Sequence, residues 1–238
     1  MTEYTLYLES GPKHKKTMVH VLGLLGCIAQ GPTTEAALEA APEAIRAWLR
    51  YLKRNGEDVD PREKFTIRVA VHVTEGVWLG YGDPTPGFAP DFEPLTVEDL
   101  QIYIRHLAWL QADLLDLVRD LPLSQLLEEP KSGGRSIYHI LEHVAESQAV
   151  YLRYLVGKLD SLSEALRAVQ KGPVEFLLPT LTDLWQVCRS RLGALTEAER
   201  RQSVPHGQVT WTARRAFRRM LEHAWEHWLE ISARLGTP

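Results

Sequence analysis

The sequence predicts an α+β chain of two domains, a small α/β sandwich followed by an all-α four-helix bundle. Two observations carry that prediction. Up to about residue 80, short apolar stretches of strand period surround one amphipathic helix; from Leu95 onward the period is helical throughout. Between the two, residues 80–94 hold three glycines and four prolines, a composition that no helix tolerates. The expected division is residues 1–80 for the first domain, 81–94 for a Gly/Pro-rich linker and 95–238 for the bundle.

The elements follow in order. Tyr4-Thr5-Leu6-Tyr7-Leu8 alternates as a half-buried strand and ends at Gly11-Pro12. Thr17–Leu22 and Gly26–Gly31 read as a second and a short third strand. Thr33 or Thr34 caps a helix with Glu35 in its first turn. Its apolar stripe of Ala37, Leu38, Ala41, Ile45, Trp48 and Leu52 runs to about Arg54, and Asn55-Gly56 ends it. Phe65–Val71 is a further strand, which Val77-Trp78-Leu79 extends as a sheet. Past the linker, Thr96 caps a helix reaching about Asp120. Ser132-Gly133-Gly134 leads into a second helix, about Arg135–Gly157, and Ser161–Gln170 forms a short one. Pro173 suits the first position of a third long helix, to about Leu195. Thr210 caps the fourth, about Trp211–Leu235, and Gly236 closes it.

Composition narrows the function. Residues 1–94 carry 10 Lys and Arg against 13 Asp and Glu, and residues 95–238 carry 17 against 18. Neither half is basic, so no wide nucleic-acid or anionic-membrane footprint is expected. Cys27 and Cys188 lie far apart, which argues against a disulfide scaffold and cysteine-ligated zinc. Met1–Glu9 does not read as a signal peptide, and no apolar run approaches the roughly 20 residues of a membrane span. A cytoplasmic protein is expected.

His223 and His227 stand one helical turn apart, and His143 lies in a separate helix. Imidazoles at i and i+4 project from one face and reach one metal ion; a third from a neighbouring helix leaves an open position for water or substrate. On a helical wheel His227 falls inside the apolar arc, and His223 and His143 fall at its margins; His139 is less well placed. Ordinary core-margin hydrogen bonding is the bland alternative. His223-Ala-Trp-Glu226-His227 and His139-Ile-Leu-Glu142-His143 also match the inverted zinc-protease pattern. Glu226 turns toward the polar side and only eleven residues follow His227, so that reading is set aside. Arg214, Arg215, Arg218, Arg219, Glu222 and Glu226 occupy the side opposite the apolar arc. The arginines read as a solvated basic strip, with phosphate or anionic-substrate binding as the other reading.

Arg135–Gln148, around His143, and Trp211–His227, with its Trp-Thr-x-Arg start, resemble the DinB/YfiT-like superfamily of metal-binding four-helix bundles over residues 95–238. The resemblance implies a site of His143, His223 and His227 for a divalent ion, nickel or zinc and in some members iron. It implies a thiol S-transferase or hydrolase type of reaction on a small-molecule substrate, and a homodimer. Where His is common in the family before the second histidine of the pair, this chain has Glu226. Glu142, Glu146, Glu222 and Glu226 are candidate partners for the free imidazole nitrogens; a solvated helix position is the alternative for each.

Leu22–Ile45, with its Gly-punctuated turn, short strand ending in Gly and Ala-rich helix, resembles the HicB antitoxin-like fold, a β-β-β-α-β unit. That resemblance implies a protein partner or small ligand for the N-terminal domain. It makes a non-catalytic interaction protein, toxin–antitoxin or stress related, the competing function. The DNA-binding segment of such antitoxins is replaced here by the bundle. His20 and His72 read as structural residues on strands, and Cys27 as a small buried hydrophobe.

Overall fold

A computed structural model describes residues 1–76, 78–82, 85–131 and 133–237, with the backbone alone at residue 14. Strands β1 (Thr2–Ser10), β2 (Thr17–His20) and β3 (Ile28–Gly31) precede helix α1 (Thr34–Arg54) and strand β4 (Phe65–Val73). The sheet order is β3-β2-β1-β4, with β4 parallel to β1 and the other pairs antiparallel. The Thr33 hydroxyl accepts from the Ala36 amide and starts α1, whose apolar stripe is buried from Ala37 through Leu52. The helix packs on β3 and β2, leaving β4 at an uncovered edge. Trp78 and Leu79 lie in turns and do not extend the sheet; Val77 lies outside the described residues.

Helices α2 (Val97–Val118), α4 (Ile137–Val156), α6 (Leu177–Gly193) and α8 (Ala213–Leu235) are the long ones. In the helical region α2 packs on α8 and α6, and α4 packs on the same two. Shorter pieces decorate this frame: α3 (Leu123–Leu127), α5 (Asp160–Lys171), α7 (Glu197–Arg201) and a hairpin of β5 (Val204–His206) and β6 (Val209–Trp211). The hairpin moves the start of α8: Thr210 pairs with Pro205 in the ladder, and Thr212 supplies the cap to the Arg215 amide. Pro173 begins a 3-10 turn, Val174–Phe176, and α6 starts after it at Leu177. Before α4, Ser132 lies outside the described residues; Ser136 caps the helix through the His139 amide.

The two regions share one core. Trp48 and Tyr51 of α1 meet Trp225 of α8 at centroid distances of 5.0 and 4.9 Å. Gly26 (φ 106°) sits where these elements converge. A Cβ there would stand 2.6 Å from the Trp48 ring and 3.3 Å from Leu221, so only glycine fits.

That convergence overturns the expected basic strip. Arg215, Arg218 and Arg219 are 2%, 1% and 1% exposed and Glu222 is 1% exposed. The sheet face carrying His20, together with the segment around Asp91, lies on this side of α8. Arg218 is held by Asp91 (Nε to Oδ1 2.7 Å), by Glu222 (Nη1 to Oε2 3.2 Å) and by the Pro86 carbonyl (3.0 Å). Arg219 donates to Glu222 at 3.0 Å and to the Gly82 carbonyl. Arg215 donates to the carbonyls of Thr210 and Thr85 at 2.7 Å each. The Gly/Pro-rich segment is thus strapped to α8 through Gly82, Thr85, Pro86 and Asp91, and to β1 through the Gly80 and Gly82 amides, which donate to Glu9; Phe88 is buried. Arg214 alone stays near the surface, on Asp99 at 2.5 Å. Buried arginines demand acceptors, because an uncompensated charge in the interior costs several kcal/mol.

Both cysteines are free and buried. No helix among the described residues is long and apolar enough to cross a membrane.

Candidate metal centre

α4 and α8 pack side by side, and their facing margins carry the three histidines. One ligand atom from each of His143, His223 and His227 lies within 4.8 Å of the others. The inner nitrogens meet closely: His223 Nε2 stands 3.0 Å from His143 Nε2 and 3.1 Å from His227 Nε2. A neutral ring nitrogen offers one hydrogen or one lone pair, so His223 Nε2 cannot satisfy both neighbours by hydrogen bonding. Three lone pairs aimed at one cation remove that conflict, since zinc–imidazole bonds of about 2.0–2.1 Å fit such spacing.

The outer nitrogens bear on the same question. His227 Nδ1 lies 2.8 Å from Glu230 Oε2. A carboxylate only accepts, so Nδ1 carries the proton and Nε2 presents its lone pair inward, the tautomer a metal ligand needs. Glu230 is held in turn by Arg234, which also donates to the Arg135 carbonyl at 2.6 Å. The hydrogen bond from His227 is the main reason the Glu230 carboxyl sits below the usual carboxylate range. His223 Nδ1 is buried without a hydrogen-bond partner.

Burial keeps two of the rings neutral. His143 is pushed down to about 4, first by desolvation, then by Arg135 and His227. His223 falls well below its ordinary value, again by desolvation first, with His227 and His143 adding to it.

The four glutamates proposed from sequence are directed elsewhere. Glu222 belongs to the buried interface, accepting from Arg218 and Arg219 and lying 2.9 Å from His20 Nδ1. Burial alone would raise its carboxyl; His20, Arg218 and Arg219 hold it at about 2. Glu226 accepts from Gln30 at 2.7 Å, and Glu146 from Gln170 at 3.3 Å. Glu142 stays near the surface, its carboxyl raised by partial burial. For Glu142, Glu222 and Glu226 the reason is angular: each is at i−1 from a histidine and points about 100° away from it. Glu146 has i+3 spacing from His143 but accepts from Gln170 instead, whereas Glu230, at i+3 from His227, lies on the same face. That i+3 spacing was readable from sequence and is the residue the sequence reading missed. His139 faces Ser136, at 2.9 Å, and takes no part in the cluster.

Glu230→Gln keeps the size but removes the charge that fixes His227. Its metal affinity is expected to drop about 10–100-fold with the fold intact, measured by competition against a chromogenic chelator.

Long helices that gather three inward imidazoles, one ring fixed by a carboxylate, define a helical protein with a candidate divalent-metal centre. The chain belongs to the DinB superfamily, whose family model matches residues 106–231, over half its length and including all three histidines. No curated protein and no solved structure matches the chain.

Proposed function

We propose that this chain is a divalent-metal-binding member of the superfamily and a metal-dependent enzyme of the thiol S-transferase or hydrolase type. The helical region would be the family's four-helix bundle. The observation that carries the reading is the convergence of three Nε2 atoms, which hydrogen bonding alone leaves unsatisfied. His143, His223 and His227 would hold the ion, nickel or zinc, with iron within the range of such a donor set. A bound ion would supply Lewis-acid chemistry, lowering the pKa of a thiol or water toward neutrality. The chain's own residues do the rest. Burial keeps His143 and His223 deprotonated, Glu230 fixes the tautomer of His227, and Arg234 fixes Glu230. A three-residue ligand set leaves a coordination position for a small-molecule substrate.

The test is metal content of untagged protein purified without chelator. The expected result is stoichiometric nickel, zinc or iron in the wild type and none in His227→Ala. A metal-free wild type that also fails to take up any of the three ions would sink the proposal.

A second reading makes the N-terminal unit a HicB-like partner-binding domain and the helices its scaffold. The open edge of β4 is the observation in its favour. Tight capture of a partner by a metal-free protein would support it.

A further inference from the structure

Beside one another's rings, His143 and His223 feel the charges of Arg135, Arg219 and Glu230. Two of those three are committed within the chain. Arg219 donates to Glu222 and to the Gly82 carbonyl, and Glu230 is held between His227 and Arg234. Arg135 is exposed, and its guanidinium has no hydrogen-bond or ion-pair partner among the described residues.

The backbone that carries it is fixed nonetheless. The Arg135 carbonyl accepts from Arg234 at 2.6 Å, and Arg234 also holds Glu230, which holds His227. The next residue, Ser136, caps α4 through the His139 amide. The root of the Arg135 side chain is therefore tied to the same relay that orients His227.

The charges around the centre then ask for an anion. Three neutral imidazoles bring no charge to a divalent ion, and the Glu230 carboxylate is already offset by Arg234. Arg135 adds a positive charge with no carboxylate of the chain set against it. A cation beside a cationic centre is repelled unless an anion lies between them. A guanidinium meets such an anion best as a planar fork against a carboxylate.

We propose that Arg135 binds a carboxylate on the substrate of this centre, a small molecule whose second donor atom reaches the open coordination position. The assignment rests on the metal-dependent reading above. It makes Arg135 the residue that selects and orients an anionic substrate. The anion-binding arginine expected on the outer face of α8 thus stands at the head of α4, where nothing inside the chain answers its charge.

Calorimetric titration of the zinc-loaded, untagged full chain with mercaptoacetate and with mercaptoethanol tests this, since the probes share a thiol and differ by a carboxylate. Arg135→Gln is expected to weaken mercaptoacetate binding about tenfold and to leave mercaptoethanol within about twofold. Zinc affinity gives a second readout without either probe. Removing the repelling charge is expected to tighten zinc about threefold at low salt, and the difference should fade at high salt. A wild type that does not bind mercaptoacetate, equal losses for both probes, no loss for either, or an unchanged zinc affinity at low salt would each overturn the proposal. If Arg135→Gln does not fold, Arg135→Met, which keeps the aliphatic stem, carries the same expectations. A wild type that takes up no metal fails the metal reading and this proposal together; zinc uptake with equal losses for the two probes fails this proposal alone.

Discussion

Arg218→Met is expected to destabilise the chain by about 3–5 kcal/mol, lowering Tm by roughly 6–20 °C for a protein of this size. The side chain is 1% exposed and makes charged contacts with Asp91 and Glu222. Methionine fills much of the volume but leaves the Asp91 carboxylate buried without its main counter-charge. Glu222 keeps Arg219 and His20, so Asp91 carries most of the cost. Adding Asp91→Asn should recover part of the loss, since the amide oxygen still accepts from the Phe88 amide, now 3.0 Å from Asp91 Oδ2. Urea titrations of the single and double variants measure both numbers. A single variant within about 1 kcal/mol of wild type would mean the network contributes little, the outcome known for exposed pairs.

The same network explains where sequence reading failed. A helical wheel knows only one helix. It divides α8 into an apolar arc and a polar arc and assigns the polar arc to water. Here the polar arc meets a sheet that supplies Glu9 and His20 and a strap that supplies Asp91 and the backbone carbonyls of Gly82, Thr85 and Pro86. Those partners all come from more than a hundred positions upstream, and no local pattern joins them to α8. Local chemistry was legible instead. The α1 start at Thr33, the α2 start at Thr96 and the α8 end at Gly236 follow from caps that act within one turn. Two short signals were present and unread: Thr196-x-x-Glu199, a capping box that starts α7, and Gly207 in a left-handed turn between β5 and β6. The histidine cluster was legible because its members lie on long helices, where spacing fixes direction. Glu9, buried with its carboxyl raised by desolvation, could not be foreseen, since a strand's period tells which face a residue occupies but not what covers it.

Acid is expected to destabilise the metal-free chain in two separable windows, and the metal-loaded chain in only one. In the first window the unfolded histidines titrate near 6.5, while folded His143 titrates at about 4 and folded His223 is held well below its ordinary value by burial. Between those values the unfolded state binds more protons, so stability rises with pH and is lost as pH falls from about 6.5 toward 4. For His143, discounted for its partial exposure, the loss is on the order of 2 kcal/mol; fully buried His223 adds to it. In the second window Glu222, held at about 2 against an ordinary 4.5, keeps its stabilising charge above pH 4.5 and loses it as pH falls toward 2. Bound metal occupies the same three nitrogens that protons seek, so it should suppress the first window and leave the second untouched. Thermal denaturation of chelator-treated and metal-loaded protein from pH 7 to 3 separates them. In the metal-free protein Tm should begin to fall near pH 6.5, and in His143→Ala, with or without metal, the early decline should shrink. An identical early decline in metal-free wild type and His143→Ala would show that the buried imidazole is not the titrating group.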